Sequence, residues 1–164
     1  MGFSIEQTVA RQCIERAVNM YSRGLDRLDP DLMKQAYWPD AVDERFDGDI
    51  DGYVAEAMRT HEPFAWTMHA LHNHVVEFDS TGDTARGELY VVAYLEAVDP
   101  PVLNTFYGRY LDTYSRRGGD WRISRRACVH EGSQAVPSTP TPWSFATQRS
   151  GTADRPPTRP EVGP

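Results

Sequence analysis

The chain has 164 residues, enough for one hydrophobic core; two cores would leave each half near the lower limit of independent stability. Apolar residues make up 40% and charged residues 25%, the balance of a globular protein that can fill a core and still line a cavity. The net charge of -7, with no basic run, excludes nucleic acid as a partner, because phosphate binding draws on clustered Lys and Arg.

Two cysteines, Cys13 and Cys128, form neither a CxxC pair nor a dense disulfide pattern, and are expected to be buried free thiols. The N-terminus lacks the apolar core of a signal peptide, and no stretch of about 18 apolar residues could span a membrane. A cytoplasmic location without membrane contact is the expectation.

From residue 4 to 28 the apolar positions Ile14, Val18, Tyr21, Leu25 and Leu28 recur at helical spacing, with Ser4 and Gln7 placed for a capping box. Asp29 and Pro30 read as N-cap and first residue of a second helix over 30–37. A short strand is expected over 41–46, and after the turn Asp47-Gly48-Asp49 a third helix over 50–60. From Thr67 the texture becomes β, with strands expected over 67–79, 84–97, 102–116 and 121–130. Turn residues at Ser80 to Asp83, Asp99 to Pro101 and Gly118 to Asp120 separate them. Helices first and an antiparallel meander afterwards predict an α+β fold, a cone of curved sheet closed by three helices over a pocket. Residues 1–131 are taken as the domain, and 132–164, rich in Pro, Ser, Thr and Gly, as a tail anchored at most by Trp143 and Phe145.

No GxGxxG or Walker loop supports a nucleotide site, and no GxSxG elbow supports acyl catalysis. Asp26 falls in the last turn of the first helix, where the macrodipole disfavours a carboxylate and where it stands about 100° from Leu25. It is either a solvated surface acid or a functional one. Three of the five histidines, His69, His72 and His74, cluster at the start of the first long strand. Strict alternation would put His72 and His74 on one face and His69 on the other, too weak a pattern for a metal site, so no metal is expected. A His beside a carboxylate is the common way to make a general base near neutral pH, and needs no cofactor.

Three segments then act together: MYSRGLDRLDPDLMKQAYWPDAV (20–42), TMHALHNHVVEFDSTGDTARGELYVVAYLEA (67–97) and GRYLDTYSRRGGDWRISRRACVHE (108–131). In this order they resemble the SnoaL-like branch of the nuclear transport factor 2-like superfamily. Its members include hexachlorocyclohexane dehydrochlorinase, bile acid dehydratase, scytalone dehydratase and polyketide cyclases. The resemblance implies that Asp26 pairs with His69 as the catalytic base of an elimination, and that Tyr21 and Arg126 reach the substrate. On an ideal helix Tyr21 and Asp26 lie about 140° apart, so a shared pocket would require a distorted helix end. Tyr21 could equally be a core tyrosine, and Arg126 could pair with Asp112 or Glu88. At position 72 a His stands where the family usually has a small or polar residue.

The expected function is that of a cofactor-independent lyase or isomerase of a small hydrophobic organic molecule. A polyketide cyclase performing aldol closure, and a non-catalytic binding or assembly domain, are the alternatives. A homo-oligomer, dimer or trimer, formed through the sheet is expected as well.

Overall fold

A computed structural model describes residues 4–139, which include all eight elements. Helix α1 (Ile5–Arg27) begins at the expected capping box: the Gln7 amide donates to Ser4 Oγ at 3.2 Å and the Ser4 amide to Gln7 Oε1 at 3.0 Å. Its stripe of Ile14, Val18, Tyr21 and Leu25 is buried throughout. Leu28 ends the helix in the left-handed region (φ 54°), and the Asp29 amide turns back to the Gly24 carbonyl at 2.8 Å.

Helix α2 (Pro30–Lys34) starts at the N-cap Asp29 as read from sequence, but stops three residues early. The reason is β1 (Tyr37–Asp43), whose approach already uses Ala36: its carbonyl accepts from the Ile123 amide at 2.9 Å. The strand expected over 41–46 therefore begins four residues sooner, and Arg45 falls in the following turn. Pro39 cannot donate to a ladder, and the pairing of β1 is interrupted between Tyr37 and Val42, as an edge strand tolerates. Helix α3 (Ile50–His61) follows, capped by Asp49.

Strands β2 (Trp66–Phe78), β3 (Thr84–Ala97), β4 (Val102–Arg117) and β5 (Asp120–Pro137) form an antiparallel meander, and β1 adds to β5 in parallel, giving the order β1-β5-β4-β3-β2. The helices cover one face of this curved sheet. Ile14, Val18, Met33 and Val54 from the helices meet Leu89, Val91, Tyr114 and Ile123 from the sheet.

Two expectations are corrected by the strands. Residues 132–137, read as the start of a tail, continue β5 and pair with Val102 to Tyr107 of β4. Their polar sequence hid an edge strand, whose side chains can be solvated on both faces. Trp143 and Phe145 lie outside the described residues. In β2 the register slips between Leu71 and His74, where β2 takes three steps to two on β3. This bulge puts His72 and Asn73 outward in succession and turns His74 inward, onto the same face as His69.

Candidate active site

Asp26 sits on the last turn of α1 against the start of β2. Its Oδ1 accepts from His69 Nδ1 at 2.7 Å and from Thr67 Oγ1 at 3.0 Å, and its Oδ2 accepts from the His69 amide at 2.9 Å. The pair is nearly dry, with side-chain exposures of 12% for Asp26 and 6% for His69. Burial alone would raise the Asp26 carboxyl, but the hydrogen bond and charge of His69, with the Thr67 hydroxyl, outweigh it and hold the carboxyl below its ordinary range. A carboxylate only accepts, so Nδ1 carries the proton and Nε2 is left as the basic atom.

His69 lines a cavity of about 360 Å³ between α3 and the inner face of the sheet, together with Tyr21, Arg45, Tyr53, His61 and Phe106. Asp26 is not in that wall; it stands behind His69. The helix end therefore needs no distortion, and α1 stays regular through Arg27. Tyr21 faces the cavity directly, while Asp26, on another side of the helix, bonds the start of β2.

Tyr21 is surrounded by charge. Its hydroxyl lies 3.3 Å from that of Tyr53 and 3.4 Å from Arg45 Nη2, which also hydrogen-bonds Tyr53. Arg45 is in turn held by Asp43 through Nε at 2.8 Å and Nη2 at 2.7 Å. Burial pushes the Tyr21 phenol up, yet the cations of Arg45 and Arg126 more than offset this and leave it below its ordinary value. The neighbouring Tyr53 and Tyr110 phenols are raised, chiefly by burial.

Arg126 is placed differently from what the resemblance implies. Fully buried, it forms a two-pronged ion pair with Asp112, both contacts 2.7 Å, and its guanidinium carbon lies 4.3 Å from the Tyr21 ring centre and 4.1 Å from that of Tyr110. It stands behind the cavity wall, and the Asp112 alternative is the one that holds. The cation in the wall is Arg45, which sequence reasoning missed because it comes from a turn with no recognisable motif.

His61 was also missed. It closes α3, its Nδ1 donating to the Ala57 carbonyl at 2.8 Å, and its ring centre is 5.6 Å from that of His69. Of the other histidines, His72 is exposed, and His74 reaches the Tyr114 hydroxyl at 3.2 Å, beneath the ion pair of Asp112. Among the described residues no three His, Cys, Asp or Glu side chains gather as a metal site would require, and no helix is long and apolar enough to cross a membrane. Cys13 and Cys128 are free and partly buried.

The sequence pattern of the SnoaL-like domain matches residues 6–127. Among curated proteins no match was found. A solved structure named as a scytalone dehydratase, from Novosphingobium aromaticivorans, superposes with a TM-score of 0.71 at 21% identity, covering 88% of this chain and 98% of that one. A hexachlorocyclohexane dehydrochlorinase, LinA-type3 from Novosphingobium barchaimii, gives 0.72 at 17%, covering 82% and 95%. A protein named as the β subunit of an aromatic-ring-hydroxylating dioxygenase, also from Novosphingobium aromaticivorans, gives 0.60 at 18%, covering 77% and 92%. At such identities the likeness is one of fold. The domain match spans most of the sequence, from the start of α1 into the first half of β5, and on that ground the chain belongs to the SnoaL-like family of the nuclear transport factor 2-like superfamily.

Proposed function

We propose that the cavity is the active site of a cofactor-independent lyase or isomerase acting on a small hydrophobic organic molecule. The observation that carries this reading is the 2.7 Å contact from Asp26 to His69, whose ring lines a hollow of about 360 Å³ with Asp26 behind it. A cavity of that size suits a molecule of one or two rings, and its walls are mostly aromatic and aliphatic. His69 Nε2 takes a proton from a carbon made acidic by a neighbouring carbonyl. Asp26 fixes the tautomer and stabilises the imidazolium that forms. Tyr21, backed by Arg45, donates to the carbonyl oxygen as it gains negative charge. Arg126 contributes from behind, by keeping the Tyr21 phenol a strong donor.

The hollow favours catalysis over a purely architectural role, which would need no dry base beside an open space. An aldol closure would use the same base, so the product separates a cyclase from a lyase. Ligands captured from a cell extract by the wild type and by His69→Ala, read by mass spectrometry, supply the substrate. On that compound His69→Ala should be slower by about 10²- to 10⁴-fold. A variant that converts it at the wild-type rate would end the proposal.

A further inference from the structure

We infer that Gly48 and Gly52 set the upper size limit of the molecule that enters the cavity, by seating the ring of Phe46 in the wall and out of the hollow. The inference rests on the proposed reading of the cavity as the substrate site, and on none of its proton transfers.

Phe46 comes from the same turn as Arg45, between β1 and α3. Its half-buried ring forms part of the cavity wall beside Tyr53, with ring centres 6.4 Å apart. The turn is tight: the Phe46 amide donates to the Asp43 carbonyl at 3.0 Å, and the Asp43 carboxylate accepts from both the amide and the guanidinium of Arg45. The backbone that carries the ring is therefore fixed, and the ring itself is the part that can turn. One edge of it lies against two glycines. A Cβ at Gly48 would stand 2.5 Å from Phe46 Cε1 and 3.1 Å from Cδ1, and one at Gly52 would stand 2.9 Å from the same Cε1 and 3.1 Å from Cζ.

Those distances account for glycine at both positions. Backbone conformation does not require it, since among the described residues the glycines with positive φ are Gly82, Gly118 and Gly119. Helix propensity opposes it at Gly52, the third residue of α3, where alanine is the better helix former. The Gly52 amide donates to the capping Asp49 at 2.8 Å, a bond that any residue with an N–H could make. Room for the ring is what alanine would take away. Carbon atoms in contact prefer a separation of about 3.5 Å or more, so one added carbon at either position displaces Phe46. The ring yields because the atoms struck are the far end of a side chain. It yields toward the hollow, where the phenyl stays out of water, rather than outward, where it would lose buried apolar surface. The displaced ring then fills space that a bound molecule would occupy.

Three cyclic ketones of increasing size, cyclopentanone, indan-1-one and fluoren-9-one, read the limit through their dissociation constants in calorimetric titration of the full chain. Wild type should bind indan-1-one. Gly48→Ala and Gly52→Ala should each weaken indan-1-one by about 10-fold relative to cyclopentanone, as overpacking against a bound molecule would. Phe46→Ala should move the preference the other way, toward fluoren-9-one. In the Phe46→Ala background the methyl of Gly52→Ala has no ring to push, so the two-residue variant should bind indan-1-one within about 2-fold of Phe46→Ala alone. A loss of affinity that persists without the ring, or an unchanged order of the ketones in both glycine variants, overturns the seat and leaves the cavity standing as the substrate site. Wild type that binds none of the three ketones overturns that reading of the cavity, and this inference with it.

Discussion

At the level of single residues, the site turns on opposing effects at Asp26. Burial and the negative end of α1 both disfavour its charge, and three hydrogen bonds plus the His69 imidazole favour it; the net result is a carboxyl held below its ordinary value. That sign predicts a pH dependence. A group whose folded pKa is depressed contributes stability in full above its unfolded value, about 4, and loses it as pH falls through the folded value. Asp26→Asn should therefore unfold at lower urea than wild type at neutral pH, and the gap in midpoints should close as pH is lowered from about 5 toward 2. A gap of constant size would mean that Asp26 is not ionised in the fold. Asp26 and His69 were singled out together by the family resemblance; from the residues alone Asp26 could be a solvated acid or a functional one. Arg45 and His61 were not, because a turn residue and the last residue of a helix reach the cavity only through the packing of α3 and β1 on the sheet. For Arg126 the sequence left open substrate contact or a pair with Asp112 or Glu88, and Asp112 lying directly across from it on β4 decides for the pair.

Among the elements, the start of α2 sets where Asp26 lies. Gly24, two residues before Asp26, is where α1 and α2 touch: a Cβ there would stand 2.5 Å from the Met33 amide nitrogen and 2.8 Å from its Cα. Alanine improves helix propensity by about 1 kcal/mol, whereas forcing an extra methyl against backbone costs about 1–3 kcal/mol. The obstacle is main chain and cannot rotate aside, so the cost should win. Gly24→Ala is expected to lower stability by about 1–2 kcal/mol in urea titration and to shift Asp26, two residues on, away from His69. A more stable variant would show that the helix pair has room to separate. Periodicity made α1, α3 and the meander readable, since each buries one face only. The bulge in β2 was not readable, because an extra residue leaves no mark in composition. It reversed the inferred facing of His74, which lies inside with Tyr114 rather than outside with His72. The end of β5 escaped for the opposite reason: an edge strand with solvated side chains has no apolar alternation to find.

For the whole molecule, the unfinished surface is the outer face of the sheet. Val75, Tyr90 and Leu111 are 54%, 44% and 39% exposed there, too many large apolar side chains on neighbouring strands for a face meant only for water. Val75 and Leu111 both flank Glu88, which with Glu131 holds Arg109 in place at 3.3 and 2.6 Å, so the patch sets apolar side chains around a charged cluster. Such a surface is suited to a second copy of the chain, and we expect a homo-oligomer, dimer or trimer, in light scattering at micromolar concentration. Leu111→Asp should weaken it. In a single copy the new carboxylate meets water and costs little, but in an assembly it would be buried next to Glu88 with no cation of its own, a penalty of several kcal/mol. The variant should therefore scatter as a smaller species while its thermal unfolding, measured at high dilution, stays close to that of wild type. Because the cavity opens on the other side of the sheet, conversion of the compound captured from a cell extract should persist in the smaller species. If wild type already scatters as a monomer, the apolar face has another occupant and assembly through the sheet is excluded.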